Sequence, residues 1–329
     1  MYQFSPALWQ FCGIAACVIA TVVSGKSIAQ ADFPTKPIRL VVPFAPGGST
    51  DVIARLLSEK LSVSFGRQVV IDNRPGGGAI IGADYVAKSA PDGHTLVVSS
   101  TSSIAPVPLM RASMPYDPLR DFSHIALIGT FANGVLVRGD SPYRTLRELL
   151  DQIRAQPGKL TYASVGIGSS GYMTGELLKQ RAGVDIVHVP YKGASQAVID
   201  LIAGRVDIQF ESLVSAIPNL RAGKLRLLAV ASPGRSKAYP DIPAIAEQVP
   251  GVVGAPWFGI SAPAKIPAAI LARLERDIVG VLRHADTRTK LSEMGMEPSE
   301  GGPAEFLAHI QLENQTWAPI IRALNIRIE

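Results

Sequence analysis

Ile38-Arg39-Leu40-Val41-Val42-Pro43-Phe44-Ala45-Pro46-Gly47-Gly48-Ser49-Thr50-Asp51 decides how this chain folds. Four of its first five residues are apolar and three are β-branched, the pattern of a short strand buried on both faces of a parallel sheet. Beyond Asp51, the residues Val52, Ile53, Leu56, Leu57 and Leu61 recur at helical spacing. The loop between strand and helix holds two prolines and two adjacent glycines, and Ser49 or Thr50 can cap the helix. The free N–H groups of the first helical turn then point into the open mouth of the sheet, where they suit an anion. The loop carries no basic side chain, so any attraction rests on peptide dipoles. Strand–glycine loop–helix units also serve as plain connections in α/β proteins, so this stretch sets the fold class and leaves a ligand open.

The same unit returns along the chain. Val69–Ile71 reads as a strand, Asn73–Gly78 as a loop and 79–89 as a helix, followed by strand Thr95–Ser100 and a hydroxyl-rich exit, Thr101-Ser102-Ser103. Residues 104–121 hold four prolines and look irregular. Two apolar runs, Ile125–Phe131 and Val135–Val137, flank Asn133-Gly134 and mark a crossing between lobes. A second set then begins: helix 146–153, strand Leu160–Val165, loop Gly166–Gly171, helix 172–182, strand Ile186–Tyr191, a helix after Gly193, strand Val206–Phe210 ending in Glu211-Ser212, a helix near 213–222 and strand Leu225–Ala231. Trp257–Ile260 is a further strand, and 267–329 is mainly helical. The pattern predicts an α/β protein of two lobes, each a mostly parallel sheet flanked by helices. Lobe 1 takes 32–131 and, on the return, 253–329; lobe 2 takes 132–252. Ligands of open parallel sheets sit beyond the carboxyl ends of the strands, so two facing rims would form a cleft.

Residues 7–23 are mostly apolar and uncharged, and small residues follow up to Ala29-Gln30-Ala31. This reads as a secretory signal peptide over 1–31 with Asp32 starting the mature chain. No Lys or Arg precedes the apolar run, which keeps a retained anchor as the alternative. Both cysteines, Cys12 and Cys17, fall inside this segment, so the mature chain has neither disulfide nor thiol chemistry. The net charge of +5 is mild and aromatics are 6%, with no basic stripe for nucleic acid. A weak positive field favours small anions.

Gly166–Gly171 spells G-x-G-x-x-G after a strand and before a helix, the local context of a dinucleotide fingerprint. The acid expected at the end of the next strand is missing, since that strand ends at Tyr191-Lys192. Anion or hydroxyl binding by the loop's N–H groups with Ser169 and Ser170 fits better. Neither glycine-rich loop carries G-K-S/T, there is no G-x-S-x-G, and the five histidines lack metal-ligand spacing. His188 reads as a satisfied core histidine. Glu211, at a strand's carboxyl end, can accept a ligand amine or hydroxyl, hold ordered water, or form a rim salt bridge. Asp51 complements the dipole of its helix. Trp257 is placed at the lobe junction, packing in the core or lining the cleft.

These residues together resemble the Bug-type periplasmic receptors of tripartite tricarboxylate transporters. The matching stretches are Phe33–Ile38, Val42–Asp51, Asn73–Gly76, Ala90–Leu96, His188–Gly193, Ala222–Arg226 and Trp257–Gly259, in order along the whole mature chain. The resemblance implies a two-lobed periplasmic binding protein of type II-like architecture. It would close on a small organic carboxylate and deliver it to a two-subunit membrane permease, with no enzyme activity, cofactor, metal or nucleic-acid partner. It further implies that backbone amides and ordered water of the first loop hold the carboxylate, at Phe44, Ala45, Gly47, Gly48 and Asp51, and that Gly168, Ser169, Ser170 and Gly171 hold the far end. Thr101, Tyr191 and Lys192 are further candidates, with Glu211 added from its position. Two departures matter: Glu211-Ser212 stands where the family often has Asp-Asn, and Gly171-Tyr172 where it tends to carry His or Pro-His. Both positions would face the distal part of the ligand, which leaves open whether that end is a carboxylate, amide, amine or ring. A ligand sensor for a membrane signalling partner, or an exported NAD-dependent oxidoreductase, are the alternatives.

Overall fold

Alternating apolar runs and glycine turns build the chain from Pro34 onward as expected: β1 (Ile38–Val42), α1 (Ser49–Phe65), β2 (Val69–Asn73), α2 (Ile80–Ala87), β3 (Thr95–Ser100) and β4 (Phe122–Phe131). The next set is β5 (Asn133–Arg138), α3 (Leu146–Ala155), β6 (Thr161–Ser164), α4 (Ser170–Ala182), β7 (Val187–Pro190), α5 (Ala194–Ile202), β8 (Ile208–Ser212), α6 (Leu213–Arg221) and β9 (Leu225–Val230). The chain closes with β10 (Trp257–Pro263), α7 (Ala268–Arg283), α8 (Ala285–Glu293), β11 (Met296–Pro298) and α9 (Pro303–Leu324). This computed structural model describes residues 33–236, 239–324 and 327. The signal-segment reading of 1–31, with Cys12 and Cys17, lies outside the described residues.

Two sheets result, one of six strands in the order β11-β4-β10-β3-β1-β2 and one of five in the order β7-β6-β8-β5-β9. Strand for strand, β2-β1-β3-β10-β4 of the first matches β7-β6-β8-β5-β9 of the second. In each, three strands run parallel, as successive βα units require: β1 with β2 and β3, and β6 with β7 and β8. The fourth in order is antiparallel to both neighbours: β10 against β3 and β4, and β5 against β8 and β9. Both sheets are therefore mixed rather than mostly parallel. The reversed strand in each is the one by which the chain enters from the other sheet, so its sense is set by the crossover and leaves no mark in local apolar spacing.

Ala132 alone separates β4 from β5, and the return passes through Gly254–Pro256. Backbone bonds tie the two crossings together. The Phe131 N–H donates to the Pro256 carbonyl at 2.9 Å, the Ala231 N–H to Asn133 at 2.8 Å and the Gly254 N–H to Ala231. The last helix departs from the expected partition. Phe306 and Ile310 of α9 pack with Val97 and Trp257 beside the first sheet. Trp317 and Ile321, three turns on, pack with Leu149, Leu177 and Phe210 of the second. An amphipathic helix of 22 residues is long enough to reach both cores. It thereby spans the junction, where the sequence reading had assigned it wholly to lobe 1. At that junction the half-buried Glu313 of α9 has its carboxyl pushed up to about 7 by burial. The three-residue edge strand β11, which carries Pro298, was not anticipated; a proline is tolerated there because one side of an edge strand makes no ladder bonds.

Candidate functional site

In the first sheet the stretch that opens the chain's fold behaves as a helix start left open. Gly48 is the N-cap of α1 and makes no side-chain cap bond. Only the fourth amide, Val52 N–H, finds an intrahelical acceptor, the Gly48 carbonyl at 3.0 Å. The amides of Ser49, Thr50 and Asp51 precede that bond and, by helix geometry, have no acceptor in the helix. The loop is held from behind by Asp51, which is 2% exposed. Its carboxylate accepts from Gly47 N–H at 3.0 Å, from Arg55 Nε and Nη2 at 2.8 and 3.1 Å, and from Asn73 Nδ2 at 2.9 Å. Burial works against the charge of Asp51, yet the bonds from Arg55, Gly47 and Asn73 outweigh it and hold the carboxyl below its usual range. All the lone-pair directions of the carboxylate face protein donors, so the Asp51 side chain braces the turn from behind.

The matching turn in the second sheet is closed on itself. Ser169 is the N-cap of α4 and its side chain accepts from Tyr172 N–H at 3.3 Å. The Ser169 hydroxyl also donates to the Gly166 carbonyl at 2.7 Å, and the Ser169 N–H donates to the same carbonyl at 3.1 Å. Ser164 Oγ accepts from Gly166 N–H at 3.2 Å and lies 2.8 Å from His188 Nε2. His188 is thus partnered, as expected, and its ring packs on Tyr162 and Tyr172 at 4.8 and 4.9 Å between centroids. Gly171 is the point of closest approach, since a Cβ there would sit 2.2 Å from the Phe210 carbonyl oxygen. That contact brings the start of α4 onto β8 and leaves the amides of Ser170 and Gly171 at the rim.

Between the two turns lies a cavity of ≈ 570 Å³ counted out to the open solvent at its mouth. Of the residues expected at a site, Phe44, Ala45, Gly48, Thr101, Ser169, Ser170, Gly171 and Glu211 line it. The other five do not. The Asp51 side chain is behind the turn, and Gly47, where a Cβ would meet Ser195 Oγ at 2.9 Å, and Gly168 are absent from the lining. Tyr191 and Lys192 line a separate opening with Gly76–Gly78 and Gly166, and the Tyr191 hydroxyl donates to Asp200 at 2.8 Å. Tyr172, expected near the distal end, is not in the lining and packs against His188 and the second core. The two halves are in contact around the cavity: a Cβ at Gly193 would lie 3.0 Å from Ala45 Cβ, and one at Gly78 3.0 Å from the Ile167 carbonyl.

Ser49, Ser102 and Ser212 lie at strand ends that the sequence reading put at the rim without naming them as ligand contacts, Thr50, Ser100 and Asn133 were not expected there, and Trp257 was read as core in preference to cleft; all of them are in the lining. Ser100, the last residue of β3, follows from the same strand-end rule. Asn133 and Trp257 do not. Because β5 and β10 are reversed, their amino ends, Asn133 opposite Ser212 and Phe258 opposite Ser100, stand at the same rim as the carboxyl ends of their neighbours. Asn133 donates to Thr174 Oγ1 at 3.0 Å and accepts from Ser170 Oγ at 3.4 Å, tying the crossing to the start of α4. Trp257 is fully buried, so it is both core and wall.

The lining contains no Lys, Arg or His, and Glu211 is its one ionisable side chain. Glu211 is 6% exposed. Burial raises its carboxyl above the usual range, opposed by hydrogen bonds from Ser215, the Ser212 backbone and Gln209. Among the described residues no cluster of His, Cys, Asp and Glu could hold a metal ion, and no helix is long and apolar enough to cross a membrane.

Two α/β lobes joined by paired crossings, with a cavity of hydroxyls, open amides and aromatic rings between them, define a solute-binding protein. Residues 53–326 match the tripartite tricarboxylate transporter family receptors, and the chain belongs to that family. BugT of Bordetella pertussis is 35% identical over 313 residues, 94% of this chain and 96% of its own. Among solved structures, Rpa4515 of R. palustris with adipate is 36% identical with a TM-score of 0.87, over 90% of this chain and 99% of that one. MatC of Rhodopseudomonas palustris with bound malate is 32% identical with a TM-score of 0.82, over 88% and 100%. The family is one of receptors rather than enzymes.

Proposed function

We propose that this protein is a periplasmic receptor, exported on its N-terminal segment, that captures a small organic carboxylate in the cavity between its lobes and delivers it to the membrane subunits of a tripartite transporter. The observation that carries this reading is the uncapped start of α1 at Gly48–Thr50, facing a cavity with no cation in its lining. Peptide N–H groups at a helix N-terminus hold an anion by direct hydrogen bonds and by the helix dipole, and water fills the gaps at modest cost. The adipate and malate carried by two solved relatives support a carboxylate as the ligand class. The family's description supports the transporter as partner. Release would follow from the lobes parting about the Ala132 and Gly254–Pro256 crossings. A thermal-shift screen of mono-, di- and tricarboxylates tests the reading: at least one is expected to raise the melting temperature in a concentration-dependent way, and a screen in which none does would count against it.

A further inference from the structure

The cavity that carries the receptor reading has an asymmetry which that reading does not use. At one wall are helix-start amides without acceptors in the helix, at Ser49 and Thr50. At another is Glu211, the only ionisable group of the lining. The carboxylate of Glu211 is a built feature. It stands at the end of β8, opposite Gly134 of β5. Ser215 Oγ, from the first turn of α6, donates to Oε1 at 2.7 Å, and Gln209 Nε2 donates to Oε2 over a long 3.5 Å. Both side-chain partners can donate to it, with the one Ser215 proton shared between Oε1 and the Ser212 carbonyl at 3.1 Å, so the carboxylate keeps acceptor capacity. No cation in the lining neutralises it. A second carboxylate seated beside an ionised Glu211 would be a like charge with no cation in the lining between them, which opposes binding, whereas a hydroxyl, amide N–H or ammonium would meet a ready acceptor.

Resting on the carboxylate reading above, we infer that Glu211 selects the ligand's distal end, so that the protein takes a monocarboxylate bearing a hydrogen-bond donor rather than a dicarboxylate. The carboxylate end binds the α1 amides and the donor end binds Glu211. Ser170 Oγ donates to Asn133 Oδ1 and Ser212 Oγ accepts from Val214 N–H at 3.2 Å, so both hydroxyls are oriented by the protein, and Glu211 is the one acceptor of the lining that can carry a charge.

Calorimetric titration of the purified mature protein with four acids of one chain length separates the cases: adipate, ω-hydroxyhexanoate, ω-aminohexanoate and hexanoate, with the four-carbon set run alongside. The wild type is expected to bind the donor-ended acids at least about tenfold more tightly than the matching dicarboxylate, with the plain acid between them. Glu211→Gln removes the charge and keeps the shape, so it is expected to weaken the ω-amino acid and strengthen the dicarboxylate, shifting their ratio by about tenfold or more. A wild type that binds dicarboxylates as tightly as donor-ended acids overturns the inference while the carboxylate reading stands. If no acid of either set binds, the carboxylate reading falls and the inference falls with it. Should Glu211→Gln fail to fold, the wild-type order of affinities decides alone.

Discussion

The turns 43–51 and 165–171 occupy equivalent places in two equivalent sheets, and they are finished in opposite ways. The first has glycine at the N-cap, no side-chain cap and a buried carboxylate bracing it from behind. The second has serine at the N-cap, a hydroxyl that both accepts and donates, and a helix packed so tightly on its strand that only glycine fits at 171. The first turn leaves its helix-start amides without a side-chain cap, and the second spends a hydroxyl on capping Tyr172 N–H and on the Gly166 carbonyl. A repeated βα unit thus specifies a scaffold, and a few cap and contact residues decide how each copy is finished.

Four substitutions probe that difference. The largest effect is expected from Gly171→Ala, whose Cβ would meet the Phe210 carbonyl oxygen at 2.2 Å. The backbone cannot yield there without moving α4 off β8, so a loss of about 3 kcal/mol is expected in denaturant unfolding. A neutral result would mean that the second turn is not tightly packed. Next comes Asp51→Asn, which weakens the bonds to Gly47, Arg55 and Asn73 behind the first turn and is expected to cost about 2 kcal/mol near neutral pH. The Asp51 carboxyl is held below its usual range, so its contribution is present above the unfolded carboxylate value and is lost as pH falls through the lowered folded one. The gap between wild type and variant should accordingly shrink below about pH 4; a pH-independent gap would show that the charge is not what braces the turn.

Smaller effects should come from the caps themselves. Ser169→Ala removes the bonds to Tyr172 N–H and the Gly166 carbonyl and is expected to lower stability by about 1 kcal/mol, read as a fall in Tm. Gly48→Ala, at the equivalent position, meets nothing nearer than 3.8 Å and has an ordinary φ of −82°. Its stability should stay within about 0.5 kcal/mol of wild type. Equal losses at 169 and 48 would erase the distinction between a closed turn and an open one.

Much of this was legible in the sequence because βα units announce themselves. Apolar runs with β-branched residues, glycine and serine at the turns and helical spacing afterward located nearly every strand and helix of both sheets. What stayed hidden depends on partners far away in the chain. The reversed sense of β5 and β10 comes from the crossovers, and with it the placement of Asn133 and Trp257 at the rim. The reach of α9 into the second core depends on how Trp317 and Ile321 meet Leu149 and Leu177. At the site, glycines and serines flagged both turns, yet residue type could not distinguish an amide left open from one already bonded. Asp51 and Tyr191 looked available as polar groups beside a turn, and only their hydrogen bonds, to Arg55 and Asn73 and to Asp200, take them out.

A crystal structure of the protein with its tightest-binding carboxylate tests the role of the open turn most directly. The carboxylate oxygens are expected within hydrogen-bond distance, directly or through one water, of the backbone N–H groups of Gly48, Ser49 and Thr50. A carboxylate found instead at Lys192 in the outer opening, with those three amides facing nothing but bulk water, would contradict it.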